Sequence, residues 1–383
     1  MGWLAPTVGA LAGHRIDVLI PPCPFAAGTE EAVVRNLPTV RKVWGPAEAK
    51  KMLLWGWPEG EKPQVLAFLG GDQSLAALLA RRLGIPALAY SEGKIRSKGF
   101  RYVCLPDETG RKEALRAGID PAQLVVVGNL MADALANKVR EREDLILFFL
   151  GSRPYQVRIL AGYWLAVARG LVKIYPQLKL AMPLSPFVKR ELLEEALANP
   201  RVPGAIAGRL ISEGEKQFVR AGDLVIQLLD PWAWEGDLPL RFEYMLRARL
   251  ALTIPGTNTM ELAAAGTPTV VVAPTFDLKD QPLEGILGIL GKIPAIGEYF
   301  IKKAMAKLTQ GFVALPNRHG GELVVPELVG EILPSQVIAQ AEDLLNNPEL
   351  LGTMEVKLRS IAGPSGAAER FAQLILKVGT EKL

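Results

Sequence analysis

Short apolar runs recur along the chain between helix-period segments, and glycine, proline or small polar residues punctuate most junctions. In the first third, runs at 15–20, 40–44, 64–69, 86–90, 101–105 and 123–127 predict strands. A partial helix is expected at 6–12, and fuller helices at 29–36, 46–55, 74–83 and 107–117. Pro46 suits a first helical turn, and Gly84 a helix stop. The charged run NKVRERED at 137–144 then interrupts the pattern as a hinge or linker. A second series follows, with strands at 145–150, 179–183, 205–207 and 224–228 and helices at 156–175, 186–198 and 213–221. After an insertion at 277–315 come helices at 335–346 and 367–378. Such alternation predicts an α/β fold with parallel sheets. At 383 residues the chain exceeds one ordinary core, so two domains are expected, 1–138 and 144–366.

The stretch 250–276, LALTIPGTNTMELAAAGTPTVVVAPTF, organises the rest. It reads as strand, turn, helix, turn, strand. Pro255-Gly256 turns the chain, and Thr257, Asn258 and Thr259 offer N-cap side chains. Gly266 closes the helix, with Pro268 just beyond. Backbone N–H groups at such a helix start attract phosphate, because unpaired donors and helix dipole act together. Glu261 lies one turn inside, within reach of a ribose diol. An ordinary crossover unit with a threonine cap would use the same residues, so both readings stand at this point.

Composition narrows the function classes. A net charge of +4 and a sequence pI near 8.9 suit anionic partners such as phosphates or acidic lipid. Without a basic stripe they do not point to nucleic acid. Cys23 and Cys104 are isolated, which excludes a disulfide framework and fits a reducing compartment. With His14 and His319 as the only histidines, neither a His-rich metal site nor a Ser-His-Asp set is favoured. The segment 285–312, GILGILGKIPAIGEYFIKKAMAKLTQGF, is apolar with interspersed lysines. It reads as a membrane or lipid-acceptor face, or as an excursion packed on its own domain or on the second subunit of a homodimer.

Five stretches, in order, resemble the lipid-A-disaccharide synthases. PGTNTMELAAAGTPTVVV at 255–272 resembles their nucleotide-sugar loop, and FLGSR at 149–153 their Pro-Gly-Ser-Arg loop. DQSLA at 72–76 stands where they carry Asp-Phe-Asn-Leu. VVGNLMADAL at 126–135 is similar to their Val-Gly-His-Pro-Leu-Ala-Asp segment, with Asn129 replacing the His. NRHGGELVVPEL at 317–328 is similar to their Asn-to-Val-Pro-Glu-Leu segment.

The resemblance implies a GT-B fold, with two Rossmann-like doubly wound domains facing a cleft. The first would take the acceptor and the second a UDP-sugar, with the closing helix 367–383 returning to the first. It implies inverting transfer without a metal or other cofactor, onto a lipid-linked or amphipathic acceptor. The place of work would be the cytoplasm, peripheral at the inner membrane face. Asp72 is then the candidate general base, since transfer to a hydroxyl needs a carboxylate or imidazole near it. Capping the following helix is its equally weighted alternative. Gly151, Ser152 and Arg153 would meet the diphosphate, Arg153 through its planar fork. Gly256, Thr257, Asn258 and Thr259 would form the phosphate loop, with Glu261 on the ribose; Glu327 and His319 are lesser candidates. Other readings are another GT-B member, similar to octulosonate transferases or UDP-N-acetylglucosamine epimerases, and a degenerate homologue that binds a nucleotide-sugar without turnover.

One family feature is missing. No opening strand with a Gly-Glu-Ala-Ser-Gly-Asp loop precedes the first helix. That strand is the central one of a doubly wound sheet. Its neighbours are expected to lose ladder partners or to close on each other. The sequence is accordingly expected to be a shortened form with its natural start upstream, or a relative with one strand fewer.

Overall fold

The computed structural model describes residues 2–21, 28–37, 39–58, 60–92, 99–135, 137–236, 238–276 and 311–381. Cys23 and nearly all of 285–312 lie outside them. The chain divides into two compact units, Met1–Ala136 with Gly363–Leu383, and Asn137–Ala362.

The first unit begins with α1 (Leu4–Ala10), β1 (Ile16–Leu19), α2 (Glu30–Arg35), β2 (Val40–Trp44) and α3 (Pro46–Trp55). It continues through β3 (Leu66–Phe68), α4 (Gln73–Leu83), β4 (Ala87–Tyr90), β5 (Tyr102–Leu105), α5 (Glu108–Arg116) and β6 (Leu124–Val126). Strands β3 to β6 form a parallel sheet in sequence order, and β1 with β2 a separate parallel pair. Among the described residues no ladder joins β1 to β3. The two are tied instead at their ends. Arg15 pairs with Glu61 at 3.0 Å, and Pro21 lies against Gly71, where a Cβ would stand 2.8 Å from its Cγ. Strand β1 is half-buried throughout, whereas β4 is buried throughout. Amides of β1 and β3 should therefore exchange hydrogen well before those of β4 and β5. Mass-spectrometric exchange checks this; uniform protection across the unit would contradict it.

The last helix of the chain, α13 (Ala367–Thr380), belongs to this unit. The Asp133 carboxylate accepts from the backbone N–H groups of Gly366, Ala367 and Ala368 at 2.5, 3.0 and 2.9 Å, fixing its start. Phe371, fully buried, then packs on Tyr90 at 6.0 Å between ring centres. Cys104 lies in the same core, and burial pushes its thiol up to about 12.

The second unit runs β7 (Glu143–Phe148), α6 (Pro154–Ile174), β8 (Lys179–Pro183), α7 (Arg190–Ala198), β9 (Arg209–Glu213), β10 (Lys216–Ala221) and β11 (Leu224–Leu229). Then come β12 (Trp234–Glu235), β13 (Leu238–Pro239), α8 (Leu240–Arg247), β14 (Ala248–Thr253), α9 (Asn258–Ala264) and β15 (Thr269–Pro274). After residues 277–310 it ends with α10 (Leu315–Gly320), β16 (Glu327–Gly330), α11 (Pro334–Leu345) and α12 (Pro348–Ala362). One eight-stranded sheet has the order β16-β15-β14-β7-β8-β11-β10-β9, parallel from β16 to β11. Its centre, Ile146 to Phe148 on β7 and Leu250 to Leu252 on β14, is buried, as parallel strands covered on both faces require. Trp164 of α6 packs on Phe148 at 6.0 Å and donates its indole N–H to the Phe149 carbonyl at 2.9 Å.

Two expectations from the sequence fail here. Residues 205–207 form no strand, and 213–221 is not a helix but the turn and second strand of the β9–β10 hairpin. Burial follows a period of two, with Val219 and Ala221 inside and Arg220 between them turned outward, and Gly214 at φ +60° supplies the turn. The charged run at 137–144 is also more than a solvated linker. Arg140 forks onto buried Glu243 at 3.0 and 2.7 Å. Arg142 donates to the carbonyls of Met245, Leu246 and Ala248 where α8 ends, and of Ala265 and Gly266 after α9. Burial lowers its guanidinium pKa from the ordinary value, and Glu355, 3.2 Å away, opposes that shift.

Candidate functional site

Strand order decides where the second unit can hold a ligand. From β7 the chain moves outward through β8 to β11, then returns to the other side of β7 with β14 and continues to β15 and β16. The reversal lies between β7 and β14. In open parallel sheets, crevices at the carboxyl ends of such neighbours bind ligands.

The loop after β7 is Phe149 to Arg153. Gly151 has φ +79°, and a Cβ on it would stand 2.6 Å from Ile254 Cδ1, besides striking the Gln156 side chain. The two loops at the reversal are thus in contact, and only glycine fits between them. Gln156 Oε1 accepts from the N–H groups of Ser152 and Arg153, both at 3.1 Å, so the protein itself satisfies these two donors. Arg153 is the N-cap of α6, extended and followed by Pro154. Gly151→Ala combines a left-handed backbone with this overlap and should cost about 1–3 kcal/mol. Denaturant unfolding checks it; a loss below about 0.5 kcal/mol would mean that the loops part freely.

The loop after β14 is Ile254 to Thr257. The first polar side chains of α9 turn back onto this loop and the strand end. Thr259 Oγ1 and N–H both reach the Gly256 carbonyl, at 2.7 and 3.1 Å, and Asn258 Nδ2 donates to Thr253 Oγ1. Thr257, the N-cap, makes no side-chain cap bond. Gly256 and Thr257 remain exposed at the rim. Glu261 is buried, and its Oε1 accepts from Arg241 Nη2 at 3.0 Å. Arg241 stands in the first turn of α8, and no local signal in the sequence connects it to Glu261.

The remaining candidates are elsewhere. Glu327 accepts from the N–H groups of Val313 and Ala314 and from Asn317 Nδ2. Asn317 in turn accepts from Val324 and Val325 at 2.8 Å. This clamp fixes the chain's return after 277–310. His319 is in the last turn of α10. Asn129, buried in the first unit, accepts from the Met131 N–H at 2.9 Å. Asp72, also in the first unit, is exposed and caps α4, its Oδ1 accepting from Ser74 and Leu75 at 2.8 and 3.2 Å. A carboxylate not singled out from sequence, Glu92, follows β4 and accepts from Trp3 Nε1 at 3.2 Å and Tyr90 OH at 3.1 Å.

No protein-family model matches the chain. Among curated proteins it is similar to the lipid-A-disaccharide synthase of Sulfurihydrogenibium sp., 24% identical over 67% of this chain and 59% of that one. It is also similar to those of Pasteurella multocida, 25% identical over 56% and 45%, and Erwinia tasmaniensis, 28% over 60% and 50%. The chain thus spans about half the length of these relatives. Among solved structures, S. aureus MnaA in its UDP co-structure superposes with a TM-score of 0.58 at 15% identity, over 100% of this chain and 95% of that one. UDP-GlcNAc 2-epimerase from Methanocaldococcus jannaschii, in complex with UDP-GlcNAc and UDP, gives 0.50 at 18% over 98% and 96%. In fold the chain is α/β of the GT-B type, and in sequence it is similar to the lipid-A-disaccharide synthases.

Proposed function

We propose that the protein is a glycosyltransferase using a UDP-sugar, inverting and metal-independent, with a lipid-linked or amphipathic acceptor. One observation carries the reading. The loops that carry 151–153 and 256–259, distant in sequence and each similar to a synthase loop, follow neighbouring strands where the strand order of the second unit reverses, with Gly151 against Ile254. In this reading Gly151, Ser152 and Arg153 with Gly256, Thr257, Asn258 and Thr259 face the diphosphate. Glu261, oriented by Arg241, accepts from the ribose diol. The acceptor oxygen bonds to the anomeric carbon as the bond to the diphosphate breaks, and UDP leaves. Asp72 is the base assigned to the acceptor proton. Both of its cap bonds fall on Oδ1, and the other oxygen is the one assigned to that proton. Calorimetric titration with UDP and UDP-sugars in EDTA should give saturable binding, and adding an acceptor-lipid extract should release UDP. Absence of binding, or binding only with a divalent metal, would overturn the reading.

A second reading, a nucleotide-sugar binder without turnover, is favoured by the lack of a ladder between β1 and β3 among the described residues of the first unit. Binding without UDP release would select it.

A further inference from the structure

The outermost strand of the second unit has a self-complementary edge. Strand β9 ends the eight-stranded sheet, paired with β10 on one side, and among the described residues no strand continues the ladder on the other. Such an edge offers backbone donors and acceptors that another strand can extend. Its sequence is Arg-Leu-Ile-Ser-Glu. Two copies of one edge related by a two-fold axis in this way pair antiparallel. Because directly paired residues share a face, the axis must pass beside a residue of the strand, not between two residues. Centred on Ile211, the register uses the whole strand: Ile211 meets its own copy, Leu210 meets Ser212, and Arg209 meets Glu213 twice.

The side chains agree with that register. Leu210 pairs with Val219, which is fully buried, and so belongs to the inner face. Arg209, Ile211 and Glu213 share the opposite face, where Ile211 stands beside half-buried Phe218. Two-fold pairing would extend Phe218 and Ile211 into one apolar row across both copies, with an Arg209–Glu213 pair on each flank. Glu213 already meets Arg220 of its own chain at 3.6 Å, with its side chain 62% exposed, leaving room for a second guanidinium. Charges on an edge strand commonly keep other strands away. Charges of one sign would do so here. Opposite signs at the two ends of one face instead attract an antiparallel copy and repel a parallel one.

We infer that β9 is a dimerisation edge. A second copy of this chain adds its own β9 antiparallel, in the register centred on Ile211, and the two sheets become one. Sedimentation velocity over a dilution series should show a monomer–dimer equilibrium. Arg209→Glu places like charges opposite each other at both flanks and should raise the dissociation constant roughly tenfold or more. Arg209→Glu with Glu213→Arg restores both pairs and should restore the dimer. Both residues are exposed, and unchanged circular dichroism and melting verify the fold. In a Cys23→Ser background, a short bismaleimide should link Ile211→Cys into a dimer but not Val356→Cys, which is 70% exposed elsewhere on the unit. A wild-type monomer at every concentration would overturn the inference. So would a dimer indifferent to Arg209→Glu, a double variant that fails to recover, or equal linking at both cysteines.

Discussion

Replacing Arg142 with alanine should destabilise the second unit by about 1.5–3 kcal/mol, the scale for losing charge-assisted hydrogen bonds from a half-buried cluster. The guanidinium is the shared terminus of two helices. It donates at 2.7–3.1 Å to five carbonyls at and just beyond the ends of α8 and α9, and Glu355 balances its charge at 3.2 Å. Alanine would leave the Met245 carbonyl to the Thr267 hydroxyl, the other oxygens to whatever water can enter, and Glu355 with less compensation. Both helices flank β14, so the loss falls on the sheet's centre. Arg142→Lys should recover only part of it, because an ammonium cannot fork toward two helix ends at once. Urea unfolding of the three proteins gives the comparison. A loss under about 1 kcal/mol would show that the carbonyls find other partners.

Glu261→Ala should weaken UDP binding roughly ten- to a hundredfold, the effect of removing a charge-assisted hydrogen bond of about 1.5–3 kcal/mol. The expectation rests on the proposed ribose contact. It is sharpened by the structure, since Arg241 holds the carboxylate in one orientation at 3.0 Å. Glu261→Gln keeps the shape but weakens both interactions, and should fall between wild type and alanine. Arg241→Ala should also reduce affinity, through a carboxylate no longer fixed in place. Calorimetric titration of each variant, with melting measured alongside, separates recognition from folding. Unchanged UDP affinity in Glu261→Ala would eliminate the ribose assignment even if stability drops.

Local chemistry made part of the site legible. An Asp before Ser-Leu is a cap signal within a four-residue window, and Asp72 indeed holds the first N–H groups of α4. Whether the same carboxylate also serves catalysis is not a local property. The Thr257-Asn258-Thr259 run illustrates the opposite outcome. These residues suited caps, yet Asn258 and Thr259 bond back to Thr253 and Gly256. Once β14 is buried in the sheet, the Thr253 hydroxyl at its end needs a partner and takes the Asn258 amide, while Thr259 closes the turn on the Gly256 carbonyl.

By itself the sequence determined the α/β class, through alternating periods and glycine or proline punctuation, and the strand-loop-helix units at 145–175 and 250–276. These signals act over a few residues, within which backbone preference and side-chain burial agree. Only the tertiary structure decided which strands became neighbours. Thus it brought Gly151 against Ile254, set Arg241 on Glu261 and gave Arg142 two helix ends to close. It also made a hairpin of 209–221, where a neighbouring β11 satisfies the backbone and selects the two-residue period over a helix. In the sequence an arginine in a charged run looks solvated. Its role depends on which carbonyls and carboxylates the chain later folds beside it, and that information is spread over a hundred residues or more.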